Sequence, residues 1–161
     1  MRRAGAGPGR SSTTARYFVD TNVLVYAFDP SDAAKHERAK EVVNILGDVR
    51  GGVLSAQVLM EFHAVVTRRL TPPIPARSAD RHVQDFLQTW DVVALDGQIV
   101  LEALRGMQAH GFALWDAQIW AAARMGRAGV VLSEDFSDGR IADGVRFVNP
   151  FTPAFQPASL A

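Results

Sequence analysis

Residues 17–28 read YFVDTNVLVYAF. The run begins as a short apolar strand, breaks on Asp20, Thr21 and Asn22, and then turns apolar again. A chain that needed only to leave a strand could use Gly or Pro. Asp20 instead places a carboxylate at the exit of a buried strand. Either the acid caps a helix beginning near Asn22, a very common use of Asp, or the strand presents a charge to a site.

The pattern continues outward from that stretch. Short apolar strands at 17–20, 51–54, 92–95, 129–132 and 145–148 alternate with helical spacing over 33–46, 57–70, 80–89, 98–108 and 114–125. Ser55 is placed to cap the second of these helices. Residues 71–78, TPPIPARS, hold three prolines within four positions, which a helix cannot accommodate. Strands alternating with helices predict an α/β fold with a parallel sheet covered on both faces. A chain of 161 residues supports one such domain and is short for two. The expected organisation is a Gly-, Ser- and Arg-rich disordered leader over 1–16, a folded domain over 17–151 and an irregular, Pro-punctuated tail over 152–161.

Composition excludes several chemistries. Hydrophobic residues make up 48% of the chain, which suits a packed core. The absence of cysteine removes disulfides and thiolate metal sites. Lys plus Arg equals Asp plus Glu at 17 each, without the basic excess of a protein that coats nucleic acid. Contact with nucleic acid must then be local or metal-assisted. No apolar run approaches the ~18 residues of a membrane span, and the N-terminus lacks the apolar segment of a secretory signal. A cytoplasmic protein with no membrane partner is expected. No P-loop or Gly-rich dinucleotide fingerprint is present.

Four acids stand where carboxylates are costly. Asp20 ends the first strand, and ligands of open parallel sheets bind beyond strand carboxyl ends. Asp135, in VVLSEDF, stands just past another strand, where an acid also serves turns. Asp116 shares a helix side with Ile119, Trp120 and Ala123, so it points toward the core unless a partner, metal or wet cleft receives it. Glu61 lies at the edge of a face formed by Val58, Phe62, Val65 and Val66. Read singly, the acids at strand ends are caps or turn residues. Together they can converge at one mouth of the sheet. Like charges sharing a site raise one another's pKa, and a hard divalent cation relieves the repulsion. Oxygen-only ligation suits Mg²⁺ or Mn²⁺, and the matching chemistry is metal-activated attack of water on a phosphodiester.

These pieces resemble, in order, the PIN-domain nucleases, and among them the VapC-like toxins of type II toxin–antitoxin pairs. FVDTNVLVYAFD resembles the opening strand and turn, and SAQVLMEFHAVVTR the glutamate-bearing helix. FALWDAQIWAAA resembles the helix with the third acid, and VVLSEDFSDG the strand end with the fourth. The resemblance implies that Asp20, Glu61, Asp116 and Asp135 are catalytic, metal-binding acids. It implies supporting roles for Asn22, which would orient Asp20, and for Ser133, with Asp138 as an auxiliary acid or a turn residue. It favours Asp135 over Glu134 as the inward acid. It implies a three-layer α/β/α sandwich around a parallel sheet of about five strands, and Mg²⁺- (or Mn²⁺-) dependent endoribonuclease action on RNA. It further implies a homodimer and a small VapB-like antitoxin.

The remaining polar residues add less. Arg68, Arg69, Arg77, Arg81, Arg105, Arg124 and Arg127 are solvated helix ends or, as a set, a rim for phosphates. His36, His63, His82 and His110 show no metal-binding spacing. Trp115 and Trp120 are core or dimer-face residues rather than base-stacking platforms. A haloacid-dehalogenase-type phosphohydrolase also begins on a strand ending in Asp. It wants a second Asp where Asn22 stands, and a site lysine where this chain has only Lys35 and Lys40, early in the sequence. A PIN-like RNA-binding or scaffold module without catalysis is the other alternative, although all four acids are present.

Overall fold

The computed structural model describes residues 15–161. Its sheet has six strands: β1 (Tyr17–Val19), β2 (Gly52–Ser55), β3 (Asp91–Val93), β4 (Val130–Leu132), β5 (Ile141–Ala142) and β6 (Val145–Val148). Their spatial order is β3-β2-β1-β4-β6-β5. Five strands run parallel, and β5 alone pairs antiparallel, with β6. The expected three-layer α/β sandwich is thus observed, with one edge strand more than expected. The extra strand arises from a tight hairpin at Asp143 and Gly144, both at positive φ (46° and 82°). Asp and Gly are the residues that such a primed turn selects.

The helices are α1 (Thr21–Tyr26), α2 (Ala33–Asp48), α3 (Ala56–Arg68), α4 (Ala76–Thr89), α5 (Gly97–His110) and α6 (Leu114–Met125). The Pro-rich segment ends where Pro75 caps α4. Ser55 caps α3 as expected, its hydroxyl accepting the Val58 N–H at 3.2 Å. One sheet face is covered by α6, with α5 packed on it; α1, α2 and α3 cover the other, and α4 leans on α3. Phe18, Val53, Val131 and Phe147 are paired neighbours across four strands and are fully buried. Trp120 of α6 is buried as well and donates its indole N–H to Ala142 O at 3.1 Å. Gly52 is required by a close approach: a Cβ there would lie only 2.3 Å from the Trp90 ring.

Of the leader expected over 1–16, residues 1–14 lie outside the described residues. Arg16 is tied into the fold, donating Nε–H to Gly126 O at 3.1 Å and pairing with Asp91 at 2.6 Å. At the other end, residues 157–160 form a 3₁₀ turn against α2, with Pro157 and Leu160 buried. Arg38 of α2 holds the tail by donating to the carbonyls of Pro150 and Phe155, each at 3.0 Å.

Candidate active site

The order of the strands decides where a site can form. From β1 the chain moves outward to β2 and β3, then returns to place β4 on the other side of β1. The crevice beyond the carboxyl ends of β1 and β4 is therefore the switch point of the sheet, where ligands of open α/β folds bind. Asp20 follows β1 directly and Ser133 follows β4. Asp20 N–H donates to Leu132 O at 3.0 Å and Ser133 N–H to Val148 O at 3.0 Å, which fixes both exits.

Asp20 is at once a cap and a buried charge. Its Oδ1 accepts the Thr21 N–H at 2.7 Å at the start of α1, and its Oδ2 accepts the Ser133 hydroxyl at 2.7 Å. The residue is only 7% exposed. Burial above all, with a smaller push from the charges of Asp135 and Glu61, raises its carboxyl from 3.8 to about 6 against the two hydrogen bonds. The capping reading is therefore observed, and the same carboxylate is also a buried charge at the strand exit.

Asn22 joins the two strand exits. Its Nδ2 lies 3.3 Å from Asp20 Oδ2, 3.1 Å from Ser133 Oγ and 2.9 Å from Asp135 Oδ2. Asp135 N–H in turn donates to Ser133 Oγ at 3.1 Å. Asp135 is therefore the acid turned toward Asn22, whereas the side chain of Glu134 turns to Tyr26 and Lys35.

The helices bring the other two acids. Glu61 on α3 accepts from Thr21 Oγ1 at 2.9 Å and from Gln57 Nε2 at 2.8 Å. Asp116 stands half-buried in the first turn of α6, whose start has no side-chain cap. Desolvation raises its pKa, with the charge of Asp135 adding to it. The four acids thus share one electrostatic field around Asp20 and Asp135. They are not drawn into contact: among the described residues, no group of three or more His, Asp or Glu side chains is arranged to hold a metal ion. Asp20 and Asp135 are linked through Asn22, Glu61 bears on Asp20 through its charge, and Asp135 bears on Asp116 in the same way.

The remaining sequence candidates sort cleanly. Asp138 accepts the Asn149 N–H at 2.8 Å and serves its turn rather than the acids. His36, His63, His82 and His110 contact Tyr26 O, Asp80, Phe28 and Asp143, outside the acid set. Arg105 and Arg124 are spent on Glu102 and the β5–β6 turn. Because α6 runs away from the site, Arg124 lies about 12 Å along the helix from Asp116 at ~1.5 Å per residue. The sequence reading missed Thr21 and Gln57, which hold Glu61, and Lys35, which reaches the loop after β4. Gln57 left a local signal, since it stands one helical turn before Glu61.

An open α/β sheet with acids just past the ends of two adjacent central strands defines the class. The chain belongs to the PIN domain family, which matches residues 17–142. No curated protein sequence matches it. Among solved structures, it is similar to a toxin–antitoxin complex from Klebsiella pneumoniae, at TM-score 0.59 and 18% identity, covering 83% of this chain and 97% of that one. It is similar to VapC20 of Mycobacterium tuberculosis, a sarcin–ricin loop cleaving toxin, at TM-score 0.56 and 20% identity over 74% and 91% of the two chains. DNA-bound VapBC from Salmonella typhimurium aligns at TM-score 0.57 and 19% identity, over 83% and 96%. Identities this low speak for the fold.

Proposed function

We propose that this protein is a divalent-metal-dependent endoribonuclease, the toxin of a VapBC-type toxin–antitoxin pair acting in the cytoplasm. The observation that carries the reading is the Asp20–Asn22–Asp135 arrangement at the switch point, with Asp116 and Glu61 brought to it by separate helices. The donor set fits Mg²⁺ or Mn²⁺. It is oxygen-only, its members repel one another, and Mg²⁺ takes one or two carboxylates directly while keeping several waters. A loose set of acids suits that preference better than an enclosed cage.

Asp20 and Asp116 are the direct ligands in this reading, with Asp135 and Glu61 completing the acidic shell. The ion supplies water activation and stabilises charge that develops on the phosphodiester. The chain's own residues prepare that chemistry. Ser133 and Thr21 N–H hold the Asp20 carboxylate in one orientation. Asn22 spaces Asp135 from Asp20, and Thr21 with Gln57 keeps Glu61 from swinging to solvent. Burial of Asp20 keeps competing water away from the deepest ligand.

RNA as substrate is part of the same reading, as are a small antitoxin and a homodimer. VapC20 and the two antitoxin-bearing complexes named above, which share this fold, support the first two. Exposed Leu101 and Leu104 on α5 and Trp115 on α6 provide apolar surface for a protein partner. The test is to incubate antitoxin-free protein with total RNA, with and without Mg²⁺ or Mn²⁺, and map new RNA ends. Discrete metal-dependent ends support the reading. No new ends under any metal, with binding of the metal demonstrated, would favour an RNA-binding role without catalysis.

A further inference from the structure

The loop after β4 carries one carboxylate more than the site uses. Glu134 stands between Ser133 and Asp135, and its own N–H reaches Asn22 Oδ1 at 3.4 Å. Its side chain nevertheless turns away from the acids. Oε1 accepts the Tyr26 hydroxyl at 2.8 Å and Oε2 lies 2.6 Å from Lys35 Nζ. Lys35 is committed on every side. Its Nζ also donates to Tyr26 Oη at 3.0 Å, and it stands 4.6 Å from the Tyr26 ring centroid and 5.5 Å from that of Phe151. Phe151 meets Tyr26 edge-on at 5.1 Å and closes the cluster.

The Lys35 and Glu134 side chains keep 30% and 23% exposure, so the pair is mostly out of water. Removing one member of such a pair leaves the other as an uncompensated charge. Without the ammonium, Glu134 would retain a phenol as partner, on a backbone that adjoins Asp135 and already reaches Asn22. We propose that Lys35 is a positioning residue that pins Glu134 outside the crevice, so that the site presents four carboxylates rather than five and Asp135 keeps its contact with Asn22. The effect on cleavage rests on the nuclease reading; the effect on metal binding stands apart from it.

The test is a double-mutant cycle of Lys35→Met, Glu134→Gln and the pair together, each checked for folding by thermal unfolding. Mn²⁺ binding by calorimetry and RNA cleavage are both read. K35M is expected to bind Mn²⁺ about threefold more tightly and to cleave about tenfold more slowly, shifts within the range of couplings between touching residues. E134Q is expected to match the wild type in both readouts, and the double variant to recover both. A loss of cleavage in K35M that E134Q does not restore would overturn the proposal and make Lys35 a substrate contact. Equal losses of thermal stability in both single variants, with Mn²⁺ binding unmoved, would also overturn it and leave a structural staple. A wild type that binds Mn²⁺ without cleaving RNA would count against the nuclease reading alone, because the binding arm still decides the role of Lys35. A wild type that does neither overturns both.

Discussion

Asn22 Nδ2 lies 2.9 Å from Asp135 Oδ2 and 3.3 Å from Asp20 Oδ2, so one amide bridges the ends of two adjacent parallel strands. An amide is neutral and donates twice, which lets it sit between two anions. Asn22→Ala should leave the fold within about 1 kcal/mol of the wild type, the usual worth of such hydrogen bonds, while lowering cleavage at least about tenfold through misplaced carboxylates. Asn22→Asp adds a fifth acid to the site itself. It should lower metal-free melting temperature and enlarge the stabilisation produced by Mg²⁺. Thermal melts with and without Mg²⁺ check both variants.

Burial of Asp20 makes the free protein sensitive to pH. Its folded-state value near 6 stands above the ordinary 3.8. A raised acid favours folding while it is protonated, so stability falls as pH climbs from about 4 to about 6 and stays low above that. The net shift, in which the hydrogen bonds from Ser133 and Thr21 already offset part of the burial, corresponds to roughly 3 kcal/mol at about 1.4 kcal/mol per pH unit. Asp20→Asn should therefore stabilise the metal-free protein by about 1–2 kcal/mol at pH 7.5 and by little below pH 4. Urea titrations at the two pH values measure the difference, and equal gains at both would contradict this account of Asp20.

Thr21 and Glu61 link α1 to α3 through a hydroxyl–carboxylate bond of 2.9 Å. Thr21→Val preserves shape and removes the donor. The expected result is a loss of about 1–2 kcal/mol, typical of a hydrogen bond to a charged group, with cleavage reduced several-fold. Thr21→Ser should retain both properties.

Gly52 lies under the Trp90 ring, where no Cβ fits. Gly52→Ala forces the indole or β2 to move and should cost about 2–3 kcal/mol, in the range of overpacked cores. Replacing Trp90 by Leu in the same chain should recover part of the loss, as read by chemical denaturation.

The parallel architecture was legible because each strand is a short apolar run followed by helical spacing, and the boundaries of α6 and β6 match their expected limits. The acids were legible as expenses, charges at strand ends or on inward helix faces. What holds them was not. Thr21 meets Glu61 forty residues along the chain, and no local pattern marks a hydroxyl for such a contact. Lys35 was noted only as lying too early in the chain for a phosphohydrolase lysine, yet its partner Glu134 arrives from the loop after β4, 99 residues later. Arg16 was hidden by the composition of the residues before it. The β5–β6 hairpin was missed although Asp143-Gly144 is a strong turn signal, since strands of two residues give no alternation to read.

Whether the acids around Asp20 and Asp135 carry out metal-dependent RNA cleavage is decided best at Asp116. It accepts no side-chain hydrogen bond among the described residues and caps nothing, so Asp116→Asn should fold as the wild type does. Purified wild type and D116N, freed of any antitoxin, would be incubated with total RNA plus Mn²⁺ and the new ends sequenced. The account predicts discrete ends in the wild type that disappear with the metal and fall at least about a hundredfold in D116N, the scale of losing a transition-state electrostatic contact. Unchanged cleavage by a folded D116N would contradict it.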